Sequence, residues 1–195
     1  SKIKVLDPST SLGSGKWITT VTAYDNKARS IWIGAYNEYL ETTDIVKSKL
    51  DFVGKVDKTV SIHTKGSNEQ IVTTDQFTYD HTGRLLSQVQ RDGNTEEELI
   101  VLNTYDELGQ LQSKKVGGTV AAQLENSAGL QTIDYNYNIR GWLKNINEDA
   151  HADNDLFDFT LAYNTPTSGT ALYNGNISQT SWRTLNTDTS LKTYD

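Results

Sequence analysis

A seven-residue pattern that returns along the chain limits the possible folds more than any other feature. The segments Tyr79–Leu85 and Tyr105–Leu111 both read Tyr-Asp-x-x-Gly-x-Leu, and their glycines lie 26 residues apart. A match of a sequence with itself at a regular spacing is typical of repeat proteins, in which each repeat is one small structural unit. The chain is therefore expected to consist of successive copies of one unit.

Weaker copies extend this pattern over most of the chain. At the glycine position, successive copies are separated by 26, 29, 26, 32 and 34 residues, so the array is irregular. Ala28 replaces the glycine of the first copy, and Asn138 replaces the aspartate of the fifth. The chain ends in Tyr194-Asp195, the first two letters of another copy, which favours a segment of a longer polypeptide. The weaker copies are Tyr24–Ile31, Leu50–Val56, Tyr137–Leu143 and Asn174–Ile177.

Each residue of the motif has a physical role in a strand–turn–strand unit. Tyrosine packs well on a strand, and aspartate accepts hydrogen bonds from backbone amides two residues further on. Glycine adopts a left-handed conformation without a steric penalty, and leucine returns the chain to a strand. Every copy is predicted to be a hairpin turn, and Ala28 predicts strain or a different turn type. The structural positions assigned to the repeat are Tyr24, Asp25, Asp51, Gly54, Tyr79, Asp80, Gly83, Tyr105, Asp106, Gly109, Tyr137, Gly141 and Gly175.

Alternation of polar and apolar residues predicts strands between these turns, most clearly at 16–24, 71–79 and 156–164, and a further strand is predicted at 177–182. In 37–49 a short helical turn competes with a hairpin, and the hairpin is preferred because strands flank it. An isolated hairpin is marginally stable in water, so neighbouring hairpins are expected to pair edge to edge. The predicted fold is all-β, with successive antiparallel hairpins in one long twisted sheet.

This pattern resembles the RHS or YD-repeat family, which is named for the Tyr-Asp motif. The stretch Leu130–Leu143 also resembles a signature of the bacterial branch, and the likeness runs from about Tyr24 to the C-terminus. The resemblance implies a single RHS/YD-repeat segment over 1–195, with lead-in strands in 1–23 and about six irregular repeats in 24–195. It also implies that the sheet spirals into a hollow shell.

The resemblance further implies a function. In toxin-bearing members of the family the shell encloses a C-terminal effector polypeptide, so this chain is expected to be a non-enzymatic part of such a wall in a secreted or cell-surface bacterial protein. The expected partners are adjacent repeats, other parts of the same longer polypeptide, and secretion machinery or surface proteins. Self-cleaving members carry an Asp-Pro-x-Gly site, and the only Asp-Pro here is Asp7-Pro8, at the opposite end. Self-cleavage is therefore not assigned.

Composition argues against two classes of partner. The chain has 25 acidic and 18 basic residues, and its net charge is −7. Binding to nucleic acid or to an anionic lipid surface requires clustered Lys and Arg, so neither partner is expected. The absence of Cys excludes disulfides and thiolate metal sites, and no apolar run has the length needed to span a bilayer.

Residues with catalytic potential do not form a recognisable motif. His63 lies at a predicted strand end and His81 in a turn, and no Gly-x-Ser-x-Gly sequence occurs. Gly13-Ser14-Gly15-Lys16 lacks the first glycine of a phosphate-binding loop and has Trp17 where Ser or Thr should hold magnesium. We therefore predict neither an enzyme nor a cofactor.

A weak calcium candidate lies in the polar loop 148–155, where Asp149, Asp153 and Asp155 occur with His151. Carboxylates at alternate positions are typical of calcium loops. However, Asn154 stands where the bending glycine is needed, and Thr160 where a bidentate glutamate is needed. A solvated loop is the preferred interpretation, and no metal site is predicted.

The aromatic residues support an alternative function. The chain has four Trp and ten Tyr, and their default role in a sheet is cross-strand packing. Exposed rings could instead form a platform that stacks on sugar rings. The alternative hypothesis is thus a cell-surface adhesin or a carbohydrate-binding module, with glycans as partners.

Overall fold

A computed structural model describes residues 1–5, 15–120, 130–147, 155–185 and 189–195. The chain divides into two compact units, Ser1–Ile100 and Val101–Asp195. The weak calcium candidates Asp149 and Asp153 lie outside the described residues, as do His151 and Asp7-Pro8.

The first unit is built from long strands with short connections, as the alternating sequence predicts. Its strands are β1 (Lys2–Val5), β2 (Lys16–Tyr24), β3 (Ser30–Asn37), β4 (Thr42–Leu50), β5 (Val56–Lys65), β6 (Ile71–Tyr79) and β7 (Leu85–Asp92). Each of these strands pairs antiparallel with the next. The helical alternative for 37–49 is wrong, because Asn37 pairs with Thr42 and the two strands continue as a regular ladder.

The second unit contains shorter strands and longer connections. Its strands, with β8 beginning in the first unit, are β8 (Glu98–Tyr105), β9 (Leu111–Val116), β10 (Gln131–Tyr137), β11 (Leu143–Ile146), β12 (Phe157–Ala162), β13 (Gln179–Thr184) and β14 (Lys192–Tyr194). Again each strand pairs antiparallel with the next. The predicted all-β fold of successive antiparallel hairpins is confirmed.

Little apolar surface is fully buried. Among the described residues the large apolar side chains with the lowest exposure are Leu99 (4%) and Val101 (7%), both on β8. Several buried side chains are polar, and Asn147, Ser178 and Gln179 among them make side-chain hydrogen bonds. Asn147, for example, accepts from the backbone N–H of Asp134 at 2.8 Å and donates to the carbonyl oxygen of Phe157 at 2.9 Å. Backbone pairing along the sheet, more than a thick apolar core, therefore holds the described strands together.

Candidate functional site: the Tyr-Asp turns

The repeated motifs form one kind of turn, which we call the Tyr-Asp turn. Each runs from the tyrosine position to the residue after the glycine. The first five Tyr-Asp turns are 24–29, 50–55, 79–84, 105–110 and 137–142. At the first residue of each turn the strand register shifts by one position, which produces a β-bulge.

The third turn shows how the motif closes. The backbone N–H of Asp80 donates to the carbonyl oxygen of Arg84 at 3.0 Å, and the N–H of Gly83 donates to the carbonyl oxygen of Asp80 at 3.0 Å. Asp80 Oδ1 accepts from the backbone N–H groups of Thr82 and Arg84, each at 2.9 Å. Asp80 Oδ2 accepts from Arg84 Nε at 2.6 Å. One carboxylate therefore satisfies the backbone donors of the turn and holds the arginine beside it.

The other four turns repeat the same pair of backbone bonds. The backbone N–H of the residue after the tyrosine position donates to the carbonyl oxygen of the residue four positions later. The backbone N–H of the residue at the glycine position donates to the carbonyl oxygen of the residue after the tyrosine position. A side-chain oxygen of Asp25, Asp51, Asp106 or Asn138 accepts a hydrogen bond from the backbone N–H of the residue after the glycine position. Asn138 does so with an amide oxygen, so the turn requires an acceptor oxygen and not a charge.

Hydrogen bonds hold the turn aspartates Asp25, Asp51 and Asp80 of the first unit in their charged form. Backbone and side-chain hydrogen bonds from Arg29 lower the pKa of Asp25. Burial raises the pKa of Asp51, but the backbone N–H groups of Lys55 and Gly54 lower it by more. Burial also raises the pKa of Asp80, and hydrogen bonds from Arg84 and Thr82 outweigh it, so the pKa lies well below the ordinary range.

Ala28 occupies the glycine position of the first turn with φ of +59°. Both backbone bonds of the motif are present there, at 2.9 and 3.0 Å. The expected alternative of a different turn type is therefore wrong, and the other alternative, strain at a non-glycine residue in the left-handed region, is what the backbone shows.

Successive turns within a unit contact each other through the residue that follows the glycine position. Arg29 Nη1 donates to the carbonyl oxygens of Asp51 and Phe52 in the next turn, at 3.3 and 3.4 Å. A Cβ added to Gly54 would lie 3.3 Å from the same Arg29 nitrogen. The position therefore needs glycine for its φ of +103° and leaves little space for a side chain.

The same relation recurs at three later pairs of turns. A Cβ at Gly83 would clash with the end of the Lys55 side chain, and a Cβ at Gly141 would lie 2.8 Å from Gln110 Nε2. A Cβ at Gly175 would lie 2.7 Å from Trp142 Cη2. Lys55, Gln110 and Trp142 each follow the glycine of the preceding turn. This side chain therefore links one repeat to the next.

The tyrosine provides a second link, and it reveals a motif residue that sequence reasoning missed. Tyr79 Oη donates to the carbonyl oxygen of Val56 at 2.9 Å, two residues beyond the preceding glycine. Tyr163 Oη donates in the same way to the carbonyl oxygen of Leu143, also at 2.9 Å. Tyr163 is therefore the tyrosine of the sixth turn. Its spacing of 26 residues from Tyr137 was the signal that could have found it.

The sixth Tyr-Asp turn is longer than the others, because residues 165–173 separate Tyr163-Asn164 from Asn174-Gly175. The backbone N–H of Leu172 donates to the carbonyl oxygen of Tyr163 at 2.9 Å, which closes this longer loop. A cleft of about 250 Å³ lies between the loop and the fifth turn, lined by Trp142, Tyr163 and Tyr173 among others.

The histidines and the calcium candidate considered in the sequence do not form a common site among the described residues. His63 Nδ1 lies 2.6 Å from Asp44 Oδ1 on an exposed part of the sheet, and His81 is exposed in the third turn. Asp155, the one described calcium candidate, is buried and accepts from Gln131 Nε2 at 3.1 Å. Within the described ranges no three His, Asp or Glu side chains are grouped as metal ligands would be. No helix in the described part of the chain has the length and apolar character of a membrane span.

Comparisons with known proteins give a structural likeness and no match of sequence. No family model matches the chain, and no curated protein matches it. Among solved structures, the chain is similar to one in "Crystal Structure of TcdB2-TccC3-Cdc42", with 14% identity and a TM-score of 0.47. The match covers 91% of this chain and 10% of that one, so this chain spans about a tenth of its length.

Proposed function

We propose that this chain is a non-enzymatic structural repeat module of a larger, exported bacterial protein of the RHS/YD-repeat type. Its hairpins form part of a wall that encloses a C-terminal toxin or effector of the same polypeptide. The wall isolates this cargo from solvent and from the host cell until release.

The observation that carries the proposal is the contact between successive Tyr-Asp turns. In the first unit Arg29 reaches the second turn and Lys55 the third. In the second unit Gln110 reaches the fifth turn and Trp142 the sixth. Contacts that join each repeat to its neighbour let an array of any length extend, which is what a wall around a cargo requires.

Exposed apolar side chains on the strands support the same proposal. Ile3 on β1, Ile33 on β3 and Ile71 on β6 all have exposed side chains, and the strand register places the three on the same face of the sheet. A monomeric soluble protein rarely leaves extended apolar surface in contact with water. In the proposed wall such side chains contact the enclosed polypeptide, so one side of the sheet serves as the holding surface.

Limited proteolysis of the parent polypeptide tests this function. We expect the segment beyond the repeats to resist a non-specific protease while the wall is folded, and to be cut rapidly after the wall is unfolded in denaturant. The control is the same C-terminal segment produced alone. Equal digestion of the free and the attached segment would refute the wall.

A further inference from the structure

The longer sixth turn forms one side of an aromatic cleft. The cleft has a volume of about 250 Å³ and is lined on one side by the fifth turn and on the other by Tyr163, Leu172 and Tyr173. A wall needs no such cavity, because the tyrosine and glycine of the sixth turn already make the contacts that link the repeats.

Two rings of the cleft are held in place before any ligand arrives. The centroids of Trp142 and Tyr163 lie 5.2 Å apart, with their planes tilted by 42°. Tyr163 is fixed by its hydrogen bond to Leu143, and the Trp142 ring is packed against Gly175. Rigid aromatic walls bind with little loss of conformational entropy.

The third ring, Tyr173, is available to a ligand. Its side chain is 77% exposed at the edge of the cleft. An exposed tyrosine combines an apolar face with a polar tip, which suits a ligand that has both kinds of surface. Asn164, also exposed at the cleft, carries an amide that can donate to and accept from hydroxyl groups.

The charge at this cleft is opposite to that of the whole protein. Arg140 lies over the Trp142 ring, 5.2 Å from its centroid. No Asp or Glu occurs among the described residues that line the cleft, although the net charge of the chain is −7. By contrast, a neighbouring cleft at the fourth turn is lined by Asp106 and by no Lys or Arg within the described ranges. The sixth-turn cleft therefore favours an anionic ligand.

We propose that this cleft binds a hexuronate, the acidic sugar unit of anionic polysaccharides. The C–H face of the sugar ring stacks on Tyr173, the carboxylate accepts hydrogen bonds from Arg140, and the hydroxyl groups bond to Asn164. Arginine is suited to this role because its planar fork can bond both oxygens of a carboxylate. The inference is independent of the proposed wall function, because the ligand contacts are made by Tyr173, Arg140 and Asn164, which are not the residues through which one turn links to the next.

Titration of the full chain with glucuronate tests the proposal. The readout is the chemical shift of the backbone amides of Arg140, Gly141 and Tyr173, and glucose serves as the matched sugar without a carboxylate. A ligand of about 13 non-hydrogen atoms at ordinary ligand efficiency is expected to have a Kd of about 1 mM. Glucose should bind roughly tenfold more weakly, because it cannot pair with Arg140.

Two variants locate the site. Tyr173→Ala and Arg140→Gln should each weaken glucuronate binding by roughly tenfold, and Arg140→Gln should also abolish the preference over glucose. Arg91→Gln, which removes an exposed arginine of the first unit, should leave the Kd unchanged. The thermal midpoint of each variant verifies folding. Absence of shifts at ten times the expected Kd, equal binding of both sugars, or a site insensitive to both variants would each overturn the proposal.

Discussion

The Tyr-Asp turns of the two units reach the same backbone geometry with different chemistry. In the first unit Asp25 and Asp80 pair with arginines four residues on, at 2.7 and 2.6 Å. In the second unit the fifth turn uses the amide oxygen of Asn138, with Trp142 in place of the arginine. The backbone bond that closes the turn is nevertheless 2.9 Å long in the first turn and 2.9 Å in the fifth.

This difference separates what the turn requires from what it adds. The turn requires an acceptor oxygen at its second position and a residue that tolerates a left-handed conformation at its fifth. The charge pair in the first unit makes the stability of the turn depend on pH. The aromatic ring in the second unit makes the stability of the next turn depend on the size of the side chain at its glycine position. Each consequence can be measured separately.

The largest difference is expected at the glycines of the third and sixth turns. Gly83 and Gly175 have nearly equal φ values of +92° and +91°. An alanine at either position costs about 1–2 kcal/mol for its left-handed backbone. At Gly83 the neighbour is the flexible end of Lys55, which can move away, whereas at Gly175 it is the Trp142 ring at 2.7 Å. Overpacking there adds about 1–3 kcal/mol to the cost.

Urea unfolding of Gly83→Ala and Gly175→Ala, followed by tryptophan fluorescence and circular dichroism, provides the comparison. Gly93→Ala is a further control, because Gly93 has φ of +54° and no heavy atom within 4 Å of the added Cβ. Gly175→Ala should be the least stable of the three. Equal losses in all three variants would show that the Trp142 contact does not restrict this position.

The tyrosines should show the opposite outcome, namely equal effects in the two units. Tyr79→Phe and Tyr163→Phe each remove a hydroxyl that donates to a backbone carbonyl at 2.9 Å. Each change should lower the free energy of unfolding by about 0.5–1.5 kcal/mol. Tyr36→Phe, at an exposed site, should change it by less than about 0.5 kcal/mol. If Tyr163→Phe left the free energy of unfolding unchanged, Tyr163 would not have the role of the motif tyrosine in the sixth turn.

A stabilising substitution is expected in the first turn. Ala28→Gly relieves a left-handed alanine, a gain of about 1–2 kcal/mol, while the greater freedom of glycine in the unfolded chain costs about 0.4–1 kcal/mol. The net gain should be roughly 0.5–1 kcal/mol. Ala35→Gly, within β3, should instead destabilise by about 0.5–1 kcal/mol. Thermal melting compares the two variants, and a loss at both positions would contradict strain at Ala28.

The smallest effect is expected when the aspartate of the third turn is replaced by asparagine and the asparagine of the fifth turn by aspartate. The folded pKa of Asp80 lies below its ordinary value of 3.8, so its contribution to stability is fully present above that value and is lost as the pH falls through the folded pKa. Asp80→Asn should therefore reduce the drop in melting temperature between neutral pH and about pH 3. Asn138→Asp should increase it. If the melting temperature of the wild type and of both variants fell by the same amount between neutral pH and about pH 3, the charge of Asp80 would not have the assigned role.

The fold class and most strand limits were predictable because their causes are local. The predicted ranges 16–24 and 71–79 match β2 and β6, since alternation and turn residues lie within one hairpin. Predicted strands at 156–164 and 177–182 differ from the observed Phe157–Ala162 and Gln179–Thr184. There the longer sixth turn takes the end of one strand and the beginning of the other, and the glycine spacing alone gave no position for its tyrosine.

A short motif is sufficient to specify each of the first five Tyr-Asp turns, because the hydrogen bonds that close the turn lie within six consecutive residues. The partners across turns were decided only by the folded structure. Trp142 covers Gly175 and Tyr163 reaches Leu143 across 33 and 20 residues of sequence. Such contacts depend on strand register and on the path of an inserted loop, and both are set when neighbouring strands pair.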